Sequence, residues 1–420
     1  MSVVLQKQII YKILFFACIA VPYLDTYEAT LAIWLTTVLA TFRNSYSVTL
    51  IKMLASFMAI LIIALIVGLF RETHLYEFIK DITYLLKPIV GLLAGYQLCK
   101  DYLKNPMELV VYTGLLIAIL HLLIIVYAVF VMRVPNMPRL REESGYFSDF
   151  EVYAIIVLLF RKDFRLKISH ELFFIGVVLL SISIFFYFAR TNFIQFGLLF
   201  MALKGYFVLN KRAVRVLIAT VIFAVSAYGA IYYYNPQRSV HGLEALLYKI
   251  KNAPIEPFKT KINVDNWKDF NDNYRSYETI LTLRQVPQAG TEAVIFGKGA
   301  GSSIDLHKKV WLQTSYMRYI PFMHNGFMTV FLKSGIIGIL VLLYSISLFF
   351  RNKKNNDPLI QTLNYLILGT GVYMILSYWV FLGFYFSADT KSIVVGFMIA
   401  YREILIRRQK QEEDIPLVTA

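Results

Sequence analysis

Charged residues are scarce in this chain: Asp, Glu, Lys and Arg make up 16% of its 420 residues, and hydrophobic residues 58%. A soluble globular protein carries roughly 25% charged residues, so the composition excludes an ordinary soluble protein and predicts a membrane protein. Cysteine is almost absent. The two present, Cys18 and Cys99, both lie in apolar runs, which favours small buried hydrophobic residues over a disulfide or a metal site.

Several catalytic and binding motifs are also missing from the polar segments. They contain no Asp-x-Asp pair, no His-x-x-x-His, no P-loop and no Gly-x-Ser-x-Gly elbow, so metal, nucleotide and acyl-transfer chemistry have little sequence support. We therefore predict no metal and no cofactor. The formal net charge of +15 is explained by its distribution beside a membrane, so it does not predict a nucleic-acid partner.

Apolar runs long enough to cross a bilayer, roughly 20 residues each, recur along almost the whole chain. We predict an all-α polytopic membrane protein of about twelve transmembrane helices with one large extracytoplasmic loop. Residues 1–234 hold spans 1 to 9, 235–322 form the loop, 323–406 hold spans 10 to 12, and 407–420 form a cytoplasmic tail. The predicted spans are 8–23, 27–42, 49–70, 80–99, 107–132, 149–160, 171–189, 192–209, 213–234, 323–350, 359–382 and 388–406.

The short connections predict the orientation of the helices. With the N-terminus in the cytoplasm, the first helix, the inner connections and the C-terminal tail hold half of the 42 Lys and Arg residues. The short outer connections hold far fewer. Because Lys and Arg favour the cytoplasmic side, both termini are predicted inside and loop 235–322 outside. The loop has twelve Lys and Arg against eight acids, which suits an anionic ligand such as a phosphate or a surface beside anionic lipid head groups.

Within the loop, apolar residues at helical spacing predict a helix over 240–250, and a second is predicted from Tyr274 to about Gln285. The segment 297–303 (Gly-Lys-Gly-Ala-Gly-Ser-Ser) predicts a tight turn. Its backbone N–H groups could meet an anion through Gly297 and Gly299. The alternative is a turn that only positions the chain.

A few polar residues stand out against the apolar spans. His324 lies where the loop meets the tenth span and is either an interfacial anchor or a proton acceptor. Arg190, which ends the seventh span, would by itself be an arginine that reaches the head groups, but together with Arg275 it could grip a diphosphate bidentately. Lys333, inside an apolar run, is either a ligand or part of an ion pair, with Asp389 as one possible partner.

Taken together, these residues resemble the O-antigen ligase and O-antigen polymerase superfamily of bacterial surface-polysaccharide enzymes. The resemblance covers about 185–340. Family members often have an acid where this chain has Lys333, and Arg275 lacks the usual preceding glycine, so Arg284 or Arg318 could take its role. The matching elements, in order, are Ala189-Arg190-Thr191, Arg275, the turn Gly297 to Gly301, His324-Asn325, Gly335 and Gly338.

The resemblance implies metal-independent, inverting glycosyl transfer outside the cytoplasmic membrane, from a glycan on undecaprenyl diphosphate to a sugar hydroxyl on a glycan or lipid-linked acceptor. Arg190 and Arg275 would hold the diphosphate, and His324 would orient or deprotonate the hydroxyl. The donor end does not distinguish a polymerase from a ligase. Outside the family, a lipid-linked glycan flippase or transporter is the alternative. Further substrate contacts are expected from Asn325, Arg284, Arg318, Gly297 and Gly299.

Overall fold

The structure is a computed structural model, and it is predominantly helical with one short sheet. It describes residues 3–71, 74–134, 136–145, 148–187, 189–208, 211–238, 242–256, 259–312, 315–351 and 354–413. Its helices are α1 (Val3–Ala20), α2 (Tyr27–Ala40), α3 (Val48–Leu69), α4 (Leu75–Leu98), α5 (Pro106–Phe130), α6 (Met137–Ser144), α7 (Asp149–Leu159), α8 (His170–Phe186), α9 (Arg190–Leu203), α10 (Lys211–Tyr234), α11 (Gly242–Asn252), α12 (Trp267–Asp272), α13 (Tyr274–Gln288), α14 (Thr291–Phe296), α15 (Gly326–Ser347), α16 (Pro358–Val380) and α17 (Lys391–Glu413). The strands are β1 (Ile304–Leu312) and β2 (Ser315–Ile320).

Each predicted span coincides with a helix, and the described residues include six helices long and apolar enough to cross a membrane: α1 with the turn that follows it, α3, α5, α10, α15 and α16. Helices α2 and α8 are apolar but shorter. Helix α7 has 11 residues and therefore extends only about 16 Å, about half of the hydrocarbon core. A helical membrane protein is thus supported, while twelve complete crossings stay a prediction.

Glycine allows some of these helices to pack with their backbones almost in contact. A Cβ on Gly95 of α4 would lie 2.0 Å from the Ile393 carbonyl oxygen of α17, and one on Gly396 would lie 2.2 Å from that of Leu92. Small residues at such crossings are common in membrane bundles, where close packing replaces the hydrophobic driving force between helices. Any larger residue at Gly95 or Gly396 would force α4 and α17 apart.

The predicted loop has a small hydrophobic core of its own, which joins α13, α14 and the hairpin to α15. On the hairpin side, Ile304, Leu306 and Ile320 are buried, and Tyr277 Oη donates to the Leu306 carbonyl oxygen at 2.8 Å. This core extends to Phe331 and Leu332 of α15. It therefore fixes α13 over the N-terminal end of the tenth predicted span.

Three features depart from the sequence expectations. The β1–β2 hairpin adds an antiparallel sheet to a fold predicted as all-α. Helix α13 runs past the predicted end at about Gln285 to Gln288 and contains Pro287. Helix α17 continues past the predicted boundary at 406 to Glu413, so the start of the expected tail is helical, whereas 414–420 lie outside the described residues.

Two buried ion-pair clusters connect the helices. Lys391 Nζ lies 2.5 Å from an Asp149 carboxylate oxygen and 2.8 Å from one of Asp389, so Asp389 is the partner of Lys391. Lys333 Nζ instead lies 2.5 Å from Asp81 Oδ2 and donates to the Ser302 carbonyl oxygen at 2.5 Å. The ion-pair alternative therefore describes Lys333, with Asp81 as its partner in place of Asp389.

Lys333→Met tests the Lys333–Asp81 pair. Both side chains are 0% exposed, so the variant leaves a buried carboxylate without its cation, and we expect a loss of about 3–5 kcal/mol in the free energy of unfolding. Thermal unfolding of the purified protein in detergent measures it as a lower Tm. Asp81→Asn combined with Lys333→Met removes both charges and keeps an acceptor for the Gly301 N–H, now bonded to Asp81 at 2.6 Å. This double variant should recover most of the loss, and equal Tm values for the two variants would contradict the prediction.

Candidate functional site

A histidine–glutamate pair lies at the N-terminal end of α15. His324 Nδ1 approaches the two carboxylate oxygens of Glu278 at 3.0 and 3.1 Å, and the His324 backbone N–H donates to Glu278 Oε2 at 2.8 Å. The Glu278 side chain is 2% exposed and that of His324 is 44% exposed. A buried carboxylate on α13 therefore holds an imidazole that remains open to solvent.

This geometry favours one tautomer of the neutral imidazole. With a carboxylate on Nδ1, the proton of the neutral ring resides on Nδ1, and the lone pair of Nε2 is available to accept another proton. Within the described ranges, Nε2 of His324 has no hydrogen-bond partner. The Tyr274 ring meets the imidazole edge to face at 5.7 Å. Burial, and then the charge of Glu278, raise the pKa of Tyr274, so Tyr274 stays a neutral ring beside the pair.

Helix α13 places Arg275 one turn from Glu278. Residues three apart lie on neighbouring positions of a helix surface, so one helix supplies both a cation and the carboxylate that holds His324. The Arg275 guanidinium lies 5.4 Å from the centre of the Phe381 ring, in the connection between α16 and α17. Arg275 is thus half-buried between the loop and the membrane helices.

Arg190, the first residue of α9, belongs to the same region. Arg190 is exposed, but partial desolvation by the surrounding protein lowers the pKa of its guanidinium, and the positive charge of Arg275 lowers it further. Glu256 opposes this effect and Arg141 of α6 adds to it. Arg190 also donates to the Lys249 carbonyl oxygen at 3.3 Å. The two arginines predicted to act together therefore lie within electrostatic range of each other, in a region with excess positive charge.

The other two predicted arginines lie elsewhere. Arg284 is exposed near the C-terminal end of α13. Arg318 of β2 forms two 2.8 Å hydrogen bonds to the Asp305 carboxylate, which lower the pKa of Asp305 to about 2. Asp305 is also bonded through its backbone to Gln285, ten residues and thus about 15 Å along α13 from Arg275. Neither arginine joins the group formed by Arg190 and Arg275.

The glycine turn is used for packing. Gly297 and Gly299 both have positive φ, 84° and 83°, and a Cβ on either would meet backbone atoms at 2.5 Å or less: Lys333 and Ser334 for Gly297, Gly68 for Gly299. Three backbone N–H groups of the turn already donate to protein oxygens and are not available to an anion. The Lys298 and Ala300 N–H groups donate to the carbonyl oxygens of Leu332 and Ala64, and the Gly301 N–H donates to the Asp81 carboxylate. Of the two alternatives for this turn, the geometry favours the one that positions the chain.

Asn325 is the N-cap of α15: its side chain accepts a hydrogen bond from the Met328 N–H at 3.2 Å, and the residue is 6% exposed. It fixes the point at which α15 begins, directly after His324. Farther along, Gly335 interrupts α15 with φ 65°, where a Cβ would lie 2.2 Å from the Ile295 carbonyl oxygen. Both residues thus support the site by shaping α15 and its contact with α14.

Glu278 is the functional candidate that sequence reasoning missed. It lies 46 residues before His324, so nothing local links the two. The sequence held one signal: Glu278 lies one turn after Arg275 on a predicted helix. An acid that is buried at such a position needs a partner. Among the described residues no group of three or more His, Cys, Asp or Glu side chains is arranged to hold a metal ion.

Comparison with known proteins gives no further assignment of this site. No protein-family model, no curated protein and no solved structure matches the chain.

Proposed function

We propose that this protein is a membrane glycosyltransferase of bacterial surface-polysaccharide synthesis, acting on O-antigen or exopolysaccharide as a polymerase or a ligase. The observation that carries the proposal is the exposed His324 imidazole held by the buried Glu278 carboxylate. Arg275 lies one helical turn from Glu278, and Arg190 is within electrostatic range of Arg275. A base next to paired guanidiniums is the arrangement that transfer from a sugar diphosphate needs.

In the proposed step, the hydroxyl oxygen of the acceptor sugar attacks the anomeric carbon of the donor glycan. The bond between that carbon and the diphosphate oxygen breaks, and undecaprenyl diphosphate leaves with the electron pair. The proton of the hydroxyl goes to Nε2 of His324, and Glu278 stabilises the imidazolium that forms. Attack opposite the leaving group inverts the anomeric configuration.

The arginines act on the leaving group. The diphosphate gains negative charge as the glycosidic bond breaks, and planar guanidiniums match its oxygens bidentately. Arg190 and Arg275 are thereby proposed to bind the donor and to stabilise the departing diphosphate. Arg275, which is half-buried, would act in a medium of lower dielectric than water, where such stabilisation is stronger.

The location follows from the charge distribution. The cation-rich connections support cytoplasmic termini in the proposed bacterial host; the site would then face outward, where a lipid-linked glycan presents its sugar. The hydrophobic helices around α15 would keep the polyprenyl chain in the bilayer while the head group reaches His324.

The direct experiment is to reconstitute the purified protein with an undecaprenyl-diphosphate repeat unit and no other acceptor, and to separate the products on a gel. A ladder of longer lipid-linked glycans, absent with His324→Ala, would establish a polymerase. An unchanged substrate would rule out self-polymerisation of that glycan. Supplying lipid A-core or another final acceptor then tests the ligase, and absence of transfer in both assays would contradict the proposal.

A lipid-linked glycan flippase is the second candidate. The buried Asp149–Lys391–Asp389 cluster favours it, because ionisable groups inside a bundle often mark a transport path. A flippase would move a fluorescent lipid-linked glycan across the bilayer of a proteoliposome without changing its mass. Movement retained in His324→Ala, with no glycan transfer by the unchanged protein, would favour transport over the enzyme.

Glu278→Gln tests the role of the buried carboxylate. An amide can donate a hydrogen bond to Nδ1, which leaves the proton of the ring on Nε2, the wrong position for a base. By analogy with the triad aspartate, where the equivalent change costs about 10⁴ in kcat, we expect kcat to fall by at least about 100-fold. The KM for the donor should stay unchanged, because the arginines are untouched.

Thr279→Val, a neighbouring change on α13, is the matched control and should keep kcat. Steady-state kinetics with varied donor separates the two parameters. A rise of about 100-fold in the KM of Glu278→Gln, with no fall in its kcat, would show that Glu278 only shapes the donor site.

A further inference from the structure

A basic pocket lies at the end of α15 opposite to His324. It opens between the first turns of α3 and α16 and the ends of α15 and α17, with a volume of about 480 Å³. Four cationic side chains line it: Lys52, Arg351, Lys354 and Arg402. The described lining residues include no Asp or Glu, so the pocket concentrates positive charge without an acid in its wall.

Part of this charge is held in place and part is open to solvent. Arg402 is 6% exposed, and its guanidinium contacts Asn364 Oδ1 and Glu403 Oε1, both at 3.5 Å. Lys52 and Lys354 are exposed, and in the described part of the chain neither side chain has a hydrogen bond or an ion pair. The pocket thus combines a fixed guanidinium at its wall with two ammonium groups that can turn toward an anion.

The position of the pocket points to the membrane surface. Helix α15 is interrupted at Gly335, but the neighbouring α16 runs over 23 residues and extends about 34 Å, close to the thickness of the hydrocarbon core. The first turn of α16 carries Ile360 of the pocket lining, and Phe381, directly after its last residue, accepts a hydrogen bond from the Gly326 N–H beside His324. The pocket therefore lies at the other membrane face from His324, the face predicted to be cytoplasmic. Aliphatic side chains share the lining with the cations: Val48, Leu348, Ile360 and Ile406.

We propose that this pocket binds the phosphate head group of an anionic membrane lipid. The phosphate would meet the ammonium and guanidinium groups, and the upper acyl chains would meet the aliphatic wall. Basic pockets between transmembrane helices on the cytoplasmic side bind anionic head groups by this combination. Free phosphate shares the charge chemistry but would not use the apolar part of the lining. The proposal is independent of the chemistry at His324.

Native mass spectrometry of the purified full-length protein in detergent tests it, with dioctanoyl-phosphatidylglycerol and dioctanoyl-phosphatidylcholine as probes. The pocket variant is Lys52→Gln with Lys354→Gln. Its matched control is Lys104→Gln with Lys162→Gln, two exposed lysines at the same predicted face but outside the pocket. Each lysine contributes about fivefold to anionic-lipid affinity, so the pocket variant should bind phosphatidylglycerol at least about tenfold more weakly, whereas the control should bind it normally.

Preferential binding of phosphatidylglycerol, lost only in the pocket variant, supports the proposal. Equal binding of the two lipids, or equal losses in the two variants, would overturn it and leave only general attraction of a basic face. Displacement of phosphatidylglycerol by inorganic phosphate at a matching concentration would also overturn the lipid assignment, in favour of a soluble phosphate ligand. The Tm of the two variants, measured alongside, distinguishes lost binding from lost folding.

Discussion

His324→Ala is expected to lower kcat for glycan transfer by about 10²–10⁴, the contribution typical of a general base. The variant removes the proton acceptor but leaves the arginines that would bind the diphosphate, so the KM for the donor should change little. The substitution should also be tolerated by the fold, because the imidazole is 44% exposed. Transfer measured in proteoliposomes over a range of donor concentrations checks the result.

The matched control is His74→Ala. His74 is exposed at the N-cap of α4, makes no side-chain capping bond, and lies on the same predicted side of the membrane. It should retain full activity. Imidazole added to the His324→Ala protein should restore part of the rate if the missing group is a base. Full activity in His324→Ala would reject the proposed chemistry, because no other described histidine contacts Glu278.

The helices could be predicted from the sequence because hydrophobic length is a local property. A run such as Val48–Leu69 carries its own signal, and every predicted span coincides with a helix. The number of helices that cross the membrane completely is harder to predict from the sequence. Helix α7 is buried almost throughout and short, so its apolar character reflects packing inside the bundle as much as contact with lipid.

The sequence did not predict the β1–β2 hairpin because the alternation of apolar and polar residues along β1 is interrupted. Ile304 and Leu306 alternate with polar residues, but His307 adopts φ 57° and the register shifts between Asp305 and Val310. Two lysines, Lys308 and Lys309, occupy that shift and resemble an exposed loop in the sequence. Periodicity of two residues is only informative where the ladder is regular.

The sequence could predict those residues of the candidate site whose chemistry alone marks them. It could not predict which residues contact each other across the fold. The histidine at the start of the tenth span, Arg190 at the end of the seventh and Arg275 in the loop could be recognised one by one. The partner of Lys333 is 252 residues away in sequence, and that of His324 is 46 residues away. Likewise, the sequence pattern is the same for a glycine that lets a phosphate approach and for one that lets a helix approach. Only the packing of Gly299 on Gly68 distinguishes the two.

Arg275→Lys is expected to lower kcat by about 10²–10³, the cost of losing one preorganised donor to a developing anion. Lysine keeps the positive charge but cannot make the two parallel hydrogen bonds of a guanidinium, so the loss measures geometry and not charge. Arg190→Lys should act in the same direction. Arg284→Lys, an exposed position on the same helix, is the matched control and should retain activity.

Combining Arg190→Lys with Arg275→Lys shows whether the two arginines share one diphosphate. If they do, the double variant should lose much less than the product of the single losses, because removing one guanidinium already misplaces the group that the other holds. Strictly multiplicative losses would mean that the two act on separate groups, despite the electrostatic effect of Arg275 on Arg190. Loss of activity in Arg284→Lys, with Arg275→Lys unaffected, would instead place the leaving-group contact at Arg284, because α13 offers only these two arginines.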